Sequence, residues 1–200
     1  MSRSWKASAV LLALCLMVSG CTRSMTQETT APTVATKPRA GIPGQSAASD
    51  ILKRIWDAYE EQERFAVYGG MMEHPAENAP GDLDMQLAML WAPRYRVPLA
   101  HLDKLEQGAS LCHLMNGNLL TVTVFGLAKS ADTATIAWDW RWELQHSYWV
   151  AGQPSRLLLA RAEKSFLLMA FGSKEQMQTL KEKLLLTCPA DILYDEPITS

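Results

Sequence analysis

A short apolar run at the amino terminus limits what the rest of the chain can be. Arg3 and Lys6 give a basic start, and residues 7–18 are mostly apolar. A helix that spans a bilayer needs about 20 apolar residues, so this run is too short. A buried core helix is the alternative, but such a helix carries polar residues at helical spacing, and residues 11–18 have almost none. The pattern is typical of a cleaved export signal over residues 1–20.

The end of this run carries a more specific motif. The sequence Val-Ser-Gly at 18–20 precedes Cys21, and an aliphatic residue, two small residues and a cysteine resemble the lipobox of bacterial lipoproteins. The resemblance covers residues 1–21 alone, and it implies that Cys21 becomes the first mature residue and carries acyl chains. Several chains make a durable membrane anchor, because each buried CH₂ contributes about 0.8 kcal/mol. Thr22 stands where an aspartate would favour the inner membrane, which implies the outer membrane, facing the periplasm, in a Gram-negative cell.

The composition then divides the mature chain into two parts. Residues 22–49 are dominated by threonine, alanine, proline, serine and glycine, and such a segment buries too little apolar surface to offset its ordering entropy. We therefore expect residues 21–49 to be the lipidated cysteine and a flexible tether, with an ordered arm as the alternative. Residues 50–200 have the usual size of one globular domain.

The charge balance of the chain argues against nucleic-acid binding. The chain has 19 basic and 21 acidic residues, and loss of Arg3 and Lys6 leaves 17 against 21, a net charge of −4. No block of basic residues stands out.

The cysteines predict a disulfide. Cys15 leaves with the signal and Cys21 is lipidated, so Cys112 and Cys188 remain. In an oxidising envelope two remaining cysteines most simply pair. Metal binding by Cys112 with a histidine is the alternative, but no second pair repeats at ligand spacing, and the C-x-x-C arrangement of a redox pair is absent.

Helical spacing marks the start and the end of the domain. Apolar residues recur with a 3.6-residue period in residues 51–59, which predicts an amphipathic helix that ends near Gly69 and Gly70. Two short helices are expected at 82–92 and 99–105. A last helix is expected after Ser173, which together with Gln176 can form a capping box.

Alternation marks the strands between these helices. Apolar and other residues alternate in residues 118–126, and they alternate strictly in residues 133–144. Residues 156–161 and 165–172 are predicted to form a hairpin. Helices, then about four consecutive strands in an antiparallel meander, then a closing helix define an α+β fold.

The tryptophans are the most distinctive candidate site. Trp138, Trp140 and Trp142 alternate with Asp139, Arg141 and Glu143. A sheet with one wet face must bury the other, so we expect these tryptophans to form core beneath a helix. The alternative is that one or more of them line a binding groove. Trp149 follows, before Gly152 and Pro154, and is expected to be partly exposed.

No catalytic signature is present. The chain has no G-x-S-x-G elbow, phosphate loop or S-x-x-K motif, and its four histidines show no zinc spacing. We therefore expect no cofactor and no metal. The sequence favours a non-enzymatic accessory or assembly factor of a secretion, conjugation or pilus machine, acting in an envelope protein complex. A glycan- or peptidoglycan-binding module that uses Trp149 and exposed tryptophans is the second hypothesis, and an envelope hydrolase is the third.

The lipid assignment is tested by Cys21→Ser. Without the thiol no acyl chain can be attached, so we expect the variant to move from the membrane fraction to the soluble periplasmic fraction. Unchanged membrane partitioning in fractionated cells would refute the lipid anchor.

Overall fold

The computed structural model of the protein describes residues 47–199. The expected signal, the lipidation at Cys21 and most of the expected tether lie outside these residues. Four α-helices are present in the described part of the chain: α1 (Ala48–Asp57), α2 (Ala88–Trp91), α3 (Thr133–His146) and α4 (Lys174–Thr187). Three 3₁₀ helices cover Glu61–Glu63, Met85–Leu87 and Leu99–Lys104. Eight strands accompany them: β1 (Val67–Gly69), β2 (Ala76–Glu77), β3 (Gly81–Leu83), β4 (Leu105–His113), β5 (Leu120–Leu127), β6 (Arg156–Ala162), β7 (Phe166–Gly172) and β8 (Ala190–Pro197).

The eight strands form one antiparallel sheet. Their order is β2-β1-β4-β5-β7-β6-β8, and β3 also pairs with β4. Two hairpins, β4–β5 and β6–β7, supply the centre, and β5 joins them by pairing with β7. The expected α+β class is therefore confirmed, although the sheet has eight strands rather than about four.

The central strands β5 and β7 are buried on both faces. Every residue of β5 and every residue of β7 is buried. A sheet buried on both sides needs a covering layer on each, because exposed apolar faces would remain in water otherwise. The helices supply these layers, and two separate hydrophobic cores result.

The first core lies under α1 and α4. Ile51, Leu52 and Ile55 of α1 and Leu180 and Leu184 of α4 are almost fully buried in it. The 3.6-residue pattern at the start of the domain thus predicted the correct inner face of α1. Ser173 accepts a hydrogen bond from the backbone N–H of Gln176, which is one half of the predicted capping box, while the backbone N–H of Ser173 donates to the carbonyl of Leu119.

The second core lies on the other face, under α3. Trp140 of α3 is fully buried there, and its ring lies 5.5 Å from that of Phe125 on β5. Its indole N–H donates to the carbonyl of Tyr95 at 3.2 Å. Gly108 on β4 leaves room for Phe125, since a Cβ at this position would lie 2.6 Å from the ring. Trp140 is therefore the largest of the buried side chains that hold α3 against the sheet.

The strand predicted from the alternating tryptophans is wrong, because residues 133–146 form helix α3. Asp132 caps this helix, accepting a hydrogen bond from the N–H of Ala134 at 3.0 Å. Ile136, Trp140 and Leu144 recur every four residues and are buried. These three residues fit both the two-residue alternation of a strand and the four-residue repeat of a helix. In the structure they are buried by a helix.

Other element predictions were partly wrong. Helix α1 ends at Asp57 instead of continuing to Gly69, which belongs to β1. The short helix expected at 82–92 is shortened to a 3₁₀ turn and α2, and the one at 99–105 is a 3₁₀ helix over Leu99–Lys104. The hairpin at 156–172 is confirmed as β6–β7, whereas strands β1 to β4 and β8 were not predicted from the sequence.

The predicted disulfide is also contradicted. Cys112 and Cys188 are both free and buried. Cys112 lies in the core under α3 and Cys188 in the core under α1 and α4, so the sheet separates them. Burial raises the pKa of the Cys112 thiol, which keeps this group neutral.

Trp140→Ala tests the role of this side chain. Deleting a fully buried indole removes apolar burial and leaves a cavity, so we expect a loss of about 3–5 kcal/mol of unfolding free energy in urea titrations. Trp138→Ala, on the opposite side of the same helix, is the control and should cost less than about 1 kcal/mol. Equal losses for the two variants would contradict this arrangement of α3.

Candidate functional site

The outer face of α3 exposes two tryptophans. Trp138 is 53% exposed and Trp142 is 52% exposed, whereas Trp140 is fully buried. Residues four apart lie on the same side of a helix, and residues two apart lie on nearly opposite sides. The burial of Trp140 therefore forces Trp138 and Trp142 outward together. The expectation that all three tryptophans form core is wrong for these two.

Trp138 belongs to a cluster where α3 meets β8. Its ring centroid lies 6.5 Å from that of Tyr194, and the Arg141 guanidinium lies 5.3 Å from the Trp138 ring and 5.4 Å from the Tyr194 ring. Arg141 Nη2 donates to Glu196 Oε2 at 3.0 Å, and its Nε lies 2.5 Å from Glu196 Oε1. This cation thus stacks on two aromatic rings and is paired with a carboxylate of the same chain.

The ion pair between Arg141 and Glu196 also lowers the pKa of the Glu196 carboxyl group. Burial raises the pKa of Glu196, but hydrogen bonds from Arg141 and Gln145 outweigh this effect, and its pKa lies below the ordinary glutamate value. Gln145 Nε2 donates to Glu196 Oε1 at 2.9 Å. Two residues of α3 therefore bind one carboxylate of β8 and hold the helix at this edge of the sheet.

Trp142 lines a groove of about 370 Å³ that is open to solvent. One wall of this groove, which we call the α3 groove, is the segment that leads into β4, and the other wall is α3. Its lining residues are Pro98, Leu99, Ala100, Asp139, Trp142 and Glu143.

A hydrogen bond fixes the width of the α3 groove. His101 Nε2 lies 2.7 Å from Asp139 Oδ2 and joins the 3₁₀ helix to α3. The His101 side chain is mostly buried, while the Asp139 side chain is about half exposed. Leu99 is 54% exposed and adds apolar surface beside Trp142. The groove therefore combines an aromatic wall, an apolar wall and two carboxylates.

Trp149 is not part of this surface. It is partly buried, as expected, and its ring packs against Phe171 at 4.9 Å with the Arg96 guanidinium 5.0 Å from its centroid. No ring contact joins it to Trp138 or Trp142 within residues 47–199. Of the four candidate tryptophans, the structure thus brings only Trp138 and Trp142 to one exposed face.

A second groove, between α4 and β8, is dominated by charges that pair with one another. Arg156 Nη2 and Lys181 Nζ each lie 2.7 Å from a carboxylate oxygen of Asp195. Burial raises the pKa of Asp195, but these two cations outweigh it and the pKa lies below the ordinary aspartate value. The groove has no aromatic wall, and its acidic centre is already neutralised.

The free edge of the sheet at β8 is poorly suited to strand addition. A bulge interrupts β8 between Ile192 and Tyr194, and Pro197 ends the strand without an N–H group. The carbonyl of Asp195 accepts a hydrogen bond from Arg156, and the carbonyl of Pro197 accepts one from Gln145. Bulges, prolines and occupied carbonyls are devices that protect edges from pairing, so the exposed face of α3 is the better candidate.

No protein-family model, curated protein or solved structure matches the chain. No helix in residues 47–199 is long and apolar enough to cross a membrane. No group of three or more histidine, cysteine, aspartate or glutamate side chains is placed to hold a metal ion in that same part of the chain.

Sequence reasoning missed most residues of the α3 groove. The sequence pattern at Pro98 and Leu99 predicts only a short helix, and the pattern at Asp139 and Glu143 predicts only the wet face of a strand. The available signal was the four-residue spacing of Trp138 and Trp142 behind the capping residue Asp132, which fits one exposed side of a helix.

The ion pair between Arg141 and Glu196 predicts that Glu196→Gln changes the free energy of unfolding in a pH-dependent way. The folded-state pKa of Glu196 is lowered. The contribution of its carboxylate to the free energy of unfolding is therefore complete above the ordinary glutamate pKa, and it is lost as the pH falls through the folded-state pKa. At pH 7 we expect the variant to lose about 1 kcal/mol of unfolding free energy, a partly exposed charged hydrogen bond being worth less than a buried one. In urea titrations at decreasing pH, the difference in the free energy of unfolding between the variant and the wild type should become smaller below about pH 4.

Glu143→Gln is the matched control, because no ion pair of the Glu143 carboxylate occurs in the described chain. It should change the unfolding free energy by less than about 0.5 kcal/mol at any pH. If the difference in the free energy of unfolding between Glu196→Gln and wild type grew as the pH fell, the stabilising role of the ion pair between Arg141 and Glu196 would be contradicted.

Proposed function

We propose that this protein is a lipid-anchored, non-enzymatic accessory factor of the bacterial envelope that docks a protein partner through the outer face of α3. The partner is a component of a secretion, conjugation or pilus machine, and the lipid at Cys21 holds the domain at the outer membrane, facing the periplasm. The assignment to a machine rests on architectural analogy, since small tethered lipoproteins commonly serve such assemblies and an anchor does not by itself determine function.

The exposure of Trp138 and Trp142 is the observation that supports docking. Neither ring is needed to fill the core, because Trp140 already occupies that position. Tryptophan is strongly enriched among residues that dominate binding energy at protein interfaces. Leu99 adds apolar area on the wall of the α3 groove that faces α3. An exposed patch of this kind on a helix is typical of a helix-face interface.

A glycan-binding module is the second candidate, and the shape of the α3 groove favours it. Sugar rings stack on exposed tryptophan faces, and Asp139 and Glu143 offer acceptors for sugar hydroxyls beside Trp142. A peptidoglycan strand is the ligand that this alternative implies. The third hypothesis, an envelope hydrolase, has only the hydrogen bond between His101 and Asp139 in its favour. None of the lining residues carries a hydroxyl or thiol nucleophile.

Photo-crosslinking in living cells tests the proposal. A benzophenone amino acid replaces Trp138 or Trp142 in the full-length chain, and the adducts are identified by mass spectrometry. Because both positions lie on the docking face, we expect each to capture the same envelope protein, a component of one of these machines. The control position is Leu186 on α4, which is similarly apolar and exposed.

The outcomes separate the candidates. Capture at positions 138 and 142 but not at 186 supports docking through α3. Adducts with peptidoglycan fragments alone would overturn the proposal in favour of glycan binding. Equal capture at all three positions would show that α3 has no specific role.

A further inference from the structure

The chemistry of the α3 groove indicates what kind of partner it accepts. We infer that the groove binds a basic side chain, arginine in the first place, from a segment of the protein partner. This inference rests on the proposed docking function and names the partner's chemistry. It follows from the aromatic wall, the carboxylates and the way this chain treats its own arginines.

The aromatic wall is a tryptophan with an accessible ring. The His146 ring stacks on one face of Trp142 at a centroid distance of 4.3 Å, yet Trp142 remains 52% exposed, so its other face is the one open to a ligand. Cations are attracted to the faces of aromatic rings, and tryptophan attracts them most strongly. Trp142 thus offers a surface on which a planar guanidinium can stack.

The carboxylates give the groove a negative potential. Asp139 and Glu143 are four residues apart on α3, so both point to the same side, next to Trp142. Asp139 uses Oδ2 for His101, and no donor within residues 47–199 binds its Oδ1. Glu143 makes no ion pair with any described residue. A cation stacked on Trp142 would therefore meet carboxylate oxygens that other residues of the domain leave accessible.

The same domain already stacks its own arginines on tryptophan rings in three places. Guanidinium groups lie over three tryptophan rings: Arg141 over Trp138, Arg64 over Trp56, and Arg96 over Trp149, at 5.3, 5.7 and 5.0 Å. No guanidinium from the described residues lies over Trp142, which is as exposed as Trp138. In the first case the cation also binds the carboxylate of Glu196. Trp142 and Glu143 line the same groove and offer an aromatic ring and a carboxylate to a cation that no described arginine supplies.

Arginine fits the α3 groove better than lysine does. Its guanidinium is planar, stacks on aromatic rings and binds carboxylates with two parallel hydrogen bonds, whereas the lysine ammonium is a compact, strongly hydrated charge. Pro98 and Leu99 on the opposite wall provide apolar contact for the aliphatic stem of the side chain. The excess of acidic residues in the mature chain also favours a basic partner over an acidic one.

A titration followed by NMR tests the inference on the full mature chain, kept soluble by Cys21→Ser. The probe is N-acetyl-arginine amide, and the readout is the indole N–H signal of Trp142, assigned with Trp142→Phe. We expect a saturable shift of this signal, with the signals of Trp91 and Trp140 unchanged. The uncharged isostere N-acetyl-citrulline amide should bind at least about tenfold more weakly, because it keeps the shape and loses the charge.

Two carboxylate variants provide the matched comparison. Glu143→Gln should lower the affinity for the arginine probe about three- to tenfold, and added salt should reduce this difference in affinity. Glu175→Gln, an exposed glutamate in the first turn of α4, should leave binding unchanged. Equal effects of the two variants, or equal shifts with the citrulline probe, would overturn the inference. A Trp142 shift with an oligomer of N-acetylglucosamine but none with the arginine probe would overturn it in favour of a glycan.

The two proposals can fail separately. Capture of a machine component at position 142 in cells, without any response of Trp142 to the arginine probe, would overturn only the inference of a basic ligand. A saturable arginine response without protein capture at either α3 position would instead overturn the proposed docking function.

Discussion

The burial of the central strands on both faces is the constraint on which the rest of the structure depends. Strands β5 and β7 expose no residue, so each side of the sheet needs its own layer of helices. On one side α1 and α4 supply it, and on the other side Trp140 anchors α3 against Phe125. Once Trp140 occupies the core, the helical repeat decides which side chains of α3 face water.

The surface of the domain follows from that anchor. Trp138 and Trp142 lie outward because they are two residues from Trp140 in either direction, and the core has no place for them. Trp138 contacts Arg141 and Tyr194, whereas Trp142 lines the acidic α3 groove. The edge at β8, by contrast, is closed by a bulge, a proline and side chains bound to its carbonyls. A helix face is therefore the more suitable binding surface of this domain.

Elements with an unambiguous period could be predicted from the sequence, and those with two competing periods could not. The inner faces of α1 and α4 and the hairpin β6–β7 were identified correctly, because each has one clear pattern. In α3 the apolar residues alternate strictly and also recur every four positions, so the pattern alone fits a strand and a helix equally. Strand β8 was missed because its side chains are mixed and only half-buried, as is common at a sheet edge.

The site was less predictable than the fold for a related reason. The tryptophans were recognised as candidates, but their exposure depends on which residue of α3 packs against the sheet. The facing wall at Pro98 and Leu99 is distant in sequence, and no local pattern joins it to α3. The disulfide prediction failed in the same way, because residue spacing does not tell on which side of the sheet Cys112 and Cys188 lie.

Hydroxyl-radical footprinting of the unmodified protein, read by mass spectrometry, tests the central claim most directly. For the purified chain, oxidation of Trp138 and Trp142 should be fast and that of Trp140 slow. In intact envelopes the first two should become protected, while Leu186, exposed on α4 at the other face of the sheet, stays reactive. Slow oxidation of Trp138 and Trp142 in the purified chain, or the same rate in both settings, would contradict the account.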